Sequence, residues 1–299
     1  KGIVPDRHLL NLGGVISRPQ CHAVLEQADT VLAIGTELSE TDSYVEKLPI
    51  NCPLIRIDID PGKINDRYPA DVGIVSDSQS AVDALTVALG GGKPTQGGAE
   101  IVHRMLGQLP SGLSDSEKKH MRLLTVIRDA LPDDAFIMGD ACQVTYTASF
   151  GLQFNQPKRW HYAAGYCALG FAFPNAIGAK FAQPDIPVLA IAGDGGSMFT
   201  VQELITAAEH QLPIPLILWH NNGYKQIRDD MRDGNFPRVG VDGMAPDFQA
   251  LAAAMHCHYC EPDSAEMLTQ NIKSSLESDR PTVIVVAEKS RWLNRETNG

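Results

Sequence analysis

Residues 188–224, VLAIAGDGGSMFTVQELITAAEHQLPIPLILWHNNGY, admit very few folds. Val188 to Ala192 is an aliphatic run without polar alternation, which suits a strand buried on both faces. Pro215 to Trp219 is a second such run. Between them lie the glycine-rich turn 193–197 and a helical pattern over Thr200 to Gln211. Strand, helix and strand in that order form a right-handed crossover. It brings the carboxyl ends of both strands to one edge of a parallel sheet. Asp194 stands just past the first of those ends and Asn221 just past the second.

That placement has a chemical consequence. Parallel α/β sheets hold ligands at this edge, and a carboxylate with an amide oxygen is a hard donor pair suited to Mg²⁺ or Ca²⁺ rather than zinc. Gly193, Gly195 and Gly196 allow close backbone approach with N–H groups pointing outward. Thr200-Val201-Gln202-Glu203 has capping-box spacing, which predicts a helix whose positive end faces the same turn. A divalent cation beside exposed amides and a helix N-terminus makes a diphosphate site. Either Gly-Asp-Gly or Asn-Asn-Gly alone is an ordinary turn; matching strand ends across one crossover make the pair informative. A nicotinamide dinucleotide site would need G-x-G-x-x-G after the first strand and an acid after the next. Here those positions hold Gly-Asp-Gly-Gly-Ser and Asn221.

The rest of the chain repeats the alternation. Thr30 to Ile34 and Leu54 to Ile59 read as strands, the second closed by Asp60-Pro61-Gly62, with helices at His22 to Ala28 and Ser80 to Leu89. Gly90-Gly91-Gly92-Lys93-Pro94 and Gly97-Gly98 interrupt the pattern. Helices over Ala99 to Leu109 and Glu117 to Leu131 follow, then a strand at Ala135 to Met138, a helix at Pro174 to Ala182, another at Asp247 to Met255, and a last strand at Thr282 to Ala287. The fold class expected is therefore α/β with two doubly wound parallel-sheet domains, at 1–92 and 119–290, joined by a linker at 93–118 and followed by a tail at 291–299.

Composition removes several function classes. A net charge of -11 opposes nucleic acid as the main partner, since phosphate binding needs surplus Lys and Arg. No apolar run approaches the roughly 18–20 residues of a membrane-spanning helix, so no membrane partner is expected. The six cysteines are scattered, which reads as reduced thiols in a cytoplasmic protein. Cys257 and Cys260 form a C-x-x-C without a second ligand pair, so buried thiols are expected there rather than zinc. The chain opens on Lys1 with residues that read as the middle of an element, which predicts further sequence upstream.

The spacing of 27 residues from Asp194 to Asn221 resembles the thiamine-diphosphate motif of the acetolactate synthase, benzoylformate decarboxylase and pyruvate decarboxylase superfamily. A second block, 164–179 (AGYCALGFAFPNAIGA), resembles that family's G-x-G-x-[LM]-G-F-x-L-P-A-A-I-G-A segment, and KGIVPDRHLLNLGG, TVLAIGTELSETD and LIRIDIDP resemble the later part of its central domain. The resemblance covers nearly the whole chain, without the family's N-terminal pyrimidine-binding domain. It implies that Asp194, Asn221 and the Gly223 carbonyl bind the metal, Mg²⁺, with His220 where the family often has asparagine. It implies that Leu169 wedges the cofactor into its bent form, with the Cys167 carbonyl facing the pyrimidine and Ala168 between them. Gly193, Gly195, Gly196, Ser197, Asn221, Gly223 and Tyr224 would cradle thiamine diphosphate, with Asp140 and Gln143 adding phosphate or substrate contacts.

The reaction so implied is decarboxylation or carboligation of a small-molecule 2-oxo acid by a homodimer or homotetramer. The family's activating glutamate belongs to the N-terminal domain of a neighbouring subunit, so this chain alone is expected to bind cofactor weakly and not to complete turnover. Acetolactate synthases are one alternative, but Thr36-Glu37-Leu38-Ser39-Glu40 replaces their FAD-contacting stretch, so a flavin is not expected. Gln226, Asp229 and Asp230 follow the metal loop and would line the substrate mouth. Adjacent acids suit a guanidinium tail, which resembles the 5-guanidino-2-oxopentanoate decarboxylases. Alternatively those acids form a solvated helix face pairing Arg228 and Arg232. A non-catalytic α/β binding or regulatory module is the reading from another class.

Overall fold

The computed structural model describes residues 1–90 and 97–294. The expected interruption at 91–94 and the end of the expected tail, 295–299, lie outside the described residues. Contacts divide the chain into one unit of Gly14–Gly112 and another combining Lys1–Gly13 with the residues from Leu113 onward.

The smaller unit holds a parallel sheet of β1 (Val31–Ile34), β2 (Leu54–Asp58) and β3 (Val72–Val75) in that order. Its helices are α1 (Pro19–Glu26), α2 (Glu40–Ser43), α3 (Ser78–Leu89) and α4 (Gly98–Gln108). Asp77 caps α3 by accepting from the N–H groups of Gln79 and Ser80 (3.0 and 3.1 Å), so the helix starts two residues before the apolar pattern does. Ala33, Leu38, Leu48, Leu54 and Tyr68 form the core. Arg56 is buried beside them with its charge and donors met: it donates to the carbonyls of Thr36 and Tyr68, both at 3.0 Å, and to the Asp66 carboxylate. The stretch expected as a linker contains α4, whose Val102 and Met105 are buried.

In the larger unit six strands lie in the order β5 (Trp160–Tyr162), β4 (Phe136–Gly139), β6 (Val188–Gly193), β7 (Pro215–His220), β9 (Thr282–Ala287) and β8 (His258–Cys260), all parallel. Its helices are α5 (Asp115–Ala130), α6 (Gln143–Gly151), α7 (Ala172–Ala182), α8 (Asp194–Ser197), α9 (Glu203–Glu209), α10 (Lys225–Asp233), α11 (Phe248–Ala254) and α12 (Ala265–Leu276). Successive side chains of a strand face opposite ways. Leu189, Ile191, Ile217, Trp219, Ile284 and Val286 therefore pack with α5, α6 and α12, whereas Ala190, Ala192, Leu216, Leu218, Val283 and Val285 pack with α7, α9 and α11. Helices cover both faces, as the unpatterned apolar runs require.

The chain leaves β4 for the edge strand β5 and returns to β6 on the other side of β4. The gap past β4 and β6 is thus a switch point, where such sheets leave a crevice. Asp6 ties the N-terminal segment to this unit, since its N–H donates to the Phe154 carbonyl (3.0 Å) and its carboxylate accepts from the Phe154 N–H (2.7 Å). That is why the first thirteen residues group here rather than with the 1–92 stretch. No described helix is long and apolar enough to cross a membrane. Cys257 and Cys260 are half-buried beside and on β8, and burial pushes their thiols up to about 12 and about 11.

Candidate functional site

Asp194 ends β6 and Asn221 ends β7, and the crossover brings them together. The buried Asp194 carboxylate is the hub of both loops. Its Oδ1 accepts from the N–H of Gly195 (2.8 Å), and its Oδ2 accepts from the N–H groups of Asn221 (3.0 Å) and Asn222 (2.7 Å) and from His220 Nδ1 (2.7 Å). The Gly223 N–H lies 3.2 Å from both oxygens. This loop needs Gly223, whose φ is +97° and where a Cβ would stand 3.0 Å from the backbone of Val241 and Gly243.

The Asn221 amide can face two ways. In one, Oδ1 accepts from the Trp219 indole N–H (3.2 Å) and Nδ2 donates to the Gly223 carbonyl (3.3 Å). In the other, Nδ2 donates to Gln143 Oε1 (3.3 Å) and Oδ1 confronts the Gly223 carbonyl oxygen. Two oxygens facing each other are repulsive unless a cation lies between them. The Asn221 and Gly223 oxygens therefore fit a hard cation, next to a loop that is tied to the Asp194 carboxylate.

A cleft of about 200 Å³ opens beside this loop. Of the sequence-predicted residues it is lined by Gln143, Cys167, Leu169, Gly193, Gly195, Gly196, Asn221, Gly223, Tyr224 and Gln226. Gly195 and Gly196 form its floor: a Cβ on the first would meet the Tyr224 ring at 2.9 Å, and one on the second would meet Leu169 at 3.2 Å. Asp140 and Asp194 are buried outside the lining. Asp140 accepts from the N–H groups of Ala141 (2.8 Å), Gly170 (3.0 Å) and Phe171 (3.4 Å), so it holds the segment that presents Leu169. Burial raises its carboxyl despite those donors. Ser197 also lies outside the lining, its hydroxyl donating to the Asp194 carbonyl (3.1 Å), and Ala168 is exposed beside Leu169.

The expected capping box does not form. Gly-Asp-Gly-Gly-Ser winds into the helical turn α8, so the next helix starts only at Glu203, with Gln202 before it and no side-chain cap. The Thr200 hydroxyl instead donates to the Gly170 carbonyl (2.9 Å) and pins the Leu169 segment. Helix α6 also opens on the cleft, with its N-cap residue Cys142 and its first residue Gln143 in the lining. An N-terminus there favours an anion.

Helix α10 carries the remaining candidates. Asp229 is occupied, accepting from Lys225 (2.6 Å), Arg232 (3.0 Å) and Gln143 (3.3 Å). Burial pushes its carboxyl up, but those hydrogen bonds and the Lys225 and Arg232 charges more than offset this and hold it below the usual carboxylate range. Asp230 is exposed and accepts from the neutral Gln226 amide (2.9 Å). Neither acid lines the cleft. Arg228, which sequence reasoning did not place in the site, donates to the carbonyls of Asn222 (3.0 Å) and Asn221 (3.1 Å) and to Asp242 (3.2 Å). Trp219 was read only as the end of a strand, and nothing local shows that its indole faces the Asn221 amide.

Comparison with known proteins gives the family. A model of the thiamine pyrophosphate enzyme C-terminal TPP-binding domain matches residues 140–286, and a model of the central domain of the same enzymes matches residues 1–85. The chain belongs to the thiamine pyrophosphate enzyme family. Within that family it is 35% identical over 286 residues to a Pseudomonas aeruginosa protein named as a probable 2-ketoarginine decarboxylase, an alignment covering 95% of this chain and 51% of that protein. It is 27% identical over 300 residues to the acetolactate synthase isozyme 3 large subunit of Escherichia coli, covering 90% and 50%. The fold matches the thiamine diphosphate-dependent 4-hydroxybenzoylformate decarboxylase of Rhodococcus jostii with a TM-score of 0.72 at 24% identity, over 95% of this chain and 53% of that one. The chain spans about half the length of the curated relatives it matches.

Proposed function

We propose that this chain forms the diphosphate- and metal-binding part of a decarboxylase that acts on a 2-oxo acid with a guanidino tail, such as 5-guanidino-2-oxopentanoate. The observation that carries the reading is the pair of facing oxygens of Asn221 and Gly223, in a loop tied to Asp194, beside a cleft walled by Leu169 and opened by the N-terminus of α6. Bound there, thiamine diphosphate supplies the electron sink that lets a 2-oxo acid lose CO₂. The residues present would divide the remaining work. Asp194, Asn221 and the Gly223 carbonyl would hold Mg²⁺, Gly193, Gly195 and Gly196 would leave room for the diphosphate beside the backbone, and the N-terminus of α6 would offer it N–H groups. Leu169, on the segment held by Asp140 and Thr200, would pack against the cofactor. A homodimer or homotetramer in the cytoplasm belongs to the same proposal.

For the substrate tail the geometry favours Asp230 over Asp229. Asp229 already pairs two cations, whereas Asp230 is exposed and, among the described residues, its carboxylate accepts from the neutral Gln226 amide alone. A guanidinium can take both Asp230 oxygens without displacing a partner charge. The test is CO₂ release by the intact protein with Mg²⁺ and thiamine diphosphate, comparing a guanidino 2-oxo acid with a neutral one of equal length. Asp230→Ala is expected to cut kcat/KM on the guanidino substrate about tenfold or more, with little change on the neutral one. Equal losses on both would sink the assignment of the tail. A similarity to acetolactate synthases, also within the family, keeps carboligation as the second reading, and product analysis with pyruvate as sole substrate separates the two.

A further inference from the structure

Helix α10 buries none of its nine residues, and its Ile227 is 49% exposed. What fixes it is polar. Arg228 holds the carbonyls of Asn221 and Asn222, and Gln143 Nε2 donates to Gln226 Oε1 (3.2 Å) and to Asp229 Oδ2 (3.3 Å). Lys225, Gln226 and Ile227 line the cleft, so the seating of α10 shapes its mouth. Both tethers begin at groups that touch the metal loop.

We infer that Gln143 is a positioning residue that couples occupancy of the metal site to the docking of α10. The inference rests on the proposed cation between Asn221 and Gly223. With that cation, Asn221 Oδ1 turns to the ion and Nδ2 donates to Gln143 Oε1. The Gln143 amide is thereby fixed with Nε2 toward α10, where two acceptors wait. Every amide in the row then meets its complement, at the cost of leaving the Trp219 indole N–H facing Nδ2.

Without the cation, Asn221 gains by turning Oδ1 to the Trp219 indole, and that oxygen then confronts Gln143 Oε1. Gln143 can relieve the clash only by reversing its own amide. Its oxygen then faces the Asp229 carboxylate, which has no proton to give. Gln226 could turn its amide in response, but only by giving up its bond to Asp230. Whichever way Gln143 turns, one acceptor faces another. The cation removes that frustration and releases two hydrogen bonds to hold α10.

Hydrogen exchange of the 225–233 amides reads this directly, with the chain saturated in Mg²⁺ and thiamine diphosphate as calorimetry defines for each variant. In the parent protein, saturation is expected to slow exchange of these amides about fivefold, with the α12 amides serving as an unresponsive control. In Gln143→Leu the slowing is expected to fall below about twofold at saturation. Gln143→Glu can still accept from Asn221 but has no N–H for Gln226 or Asp229, and it is expected to lose the slowing likewise. Its behaviour decides the matter if the leucine variant is poorly folded. Equal slowing in parent and variants, or binding without slowing in the parent, would overturn the coupling and leave the proposed function standing. Failure of the parent to bind Mg²⁺ with thiamine diphosphate would overturn both.

Discussion

The β6–β7 crossover and helix α10 meet at the same loop and are built on opposite principles. All six residues of β6 and five of the six in β7 are buried, whereas α10 buries none. The crossover is held by area removed from water, and its loops are tied by one carboxylate that accepts from both strand ends. The helix is held by two hydrogen bonds from Gln143, 83 and 86 residues away from its acceptors. A site assembled this way has a packed half that carries the Asp194 hub and a lightly tethered half at the cleft.

The comparison breaks most sharply at Asp194. Removing its carboxylate deprives the N–H groups of Gly195, Asn221, Asn222 and Gly223 of their acceptor and, on the proposed function, removes a metal oxygen. Asp194→Ala should cost about 3–5 kcal/mol of stability and weaken Mg²⁺-dependent cofactor binding at least about 100-fold. Denaturant melts and calorimetry check both, and near-parental values in each would show that the hub is not Asp194. Next come two isoleucines. Ile191→Ala empties a fully buried position on β6 and should cost about 3–4 kcal/mol. Ile227→Ala on α10 should cost less than about 1 kcal/mol. Similar losses at the two positions would mean that α10 is packed rather than tethered.

This difference also explains what could be read from the sequence. The strands of the larger unit that lie in its centre were legible because burial on both faces leaves an unbroken aliphatic run, and only their ends moved by a residue. The edge strands β3, β5 and β8 were not, because three or four half-exposed residues such as Trp160–Tyr162 carry no such run. The helical turn α8 was hidden by its glycines, and the misread cap at Thr200 followed from it. At the site, Asp194 and Asn221 were legible from their spacing. Arg228, Trp219 and the double role of Gln143 were not, because each acts through a bond that only the folded chain brings within reach.

The two regions also separate by pH. His120 on α5 is buried against the Trp219 ring at the end of β7, its Nδ1 bonded to the Thr147 hydroxyl (2.8 Å). Burial lowers its pKa to about 4, against the attraction of Glu117 and with help from Lys225 and Lys119. The folded state thus prefers neutral imidazole while the unfolded chain binds a proton near pH 6.5. Its contribution is complete above that value and is lost as pH falls from about 6.5 toward 4, by about 2 kcal/mol between pH 7 and pH 5. His120→Leu should flatten that part of the urea midpoint against pH. Asp229 on α10 has the opposite chemistry and a lower window. Its carboxyl lies below the ordinary range, so its contribution persists above about 3.9 and fades only as pH falls further, and being part-exposed it is the smaller of the two. Acid should therefore loosen the crossover side first and α10 afterwards. Hydrogen exchange at pH 5 that found the 225–233 amides selectively opened, with those of β7 unchanged, would reverse the assignment of which half is pH-sensitive.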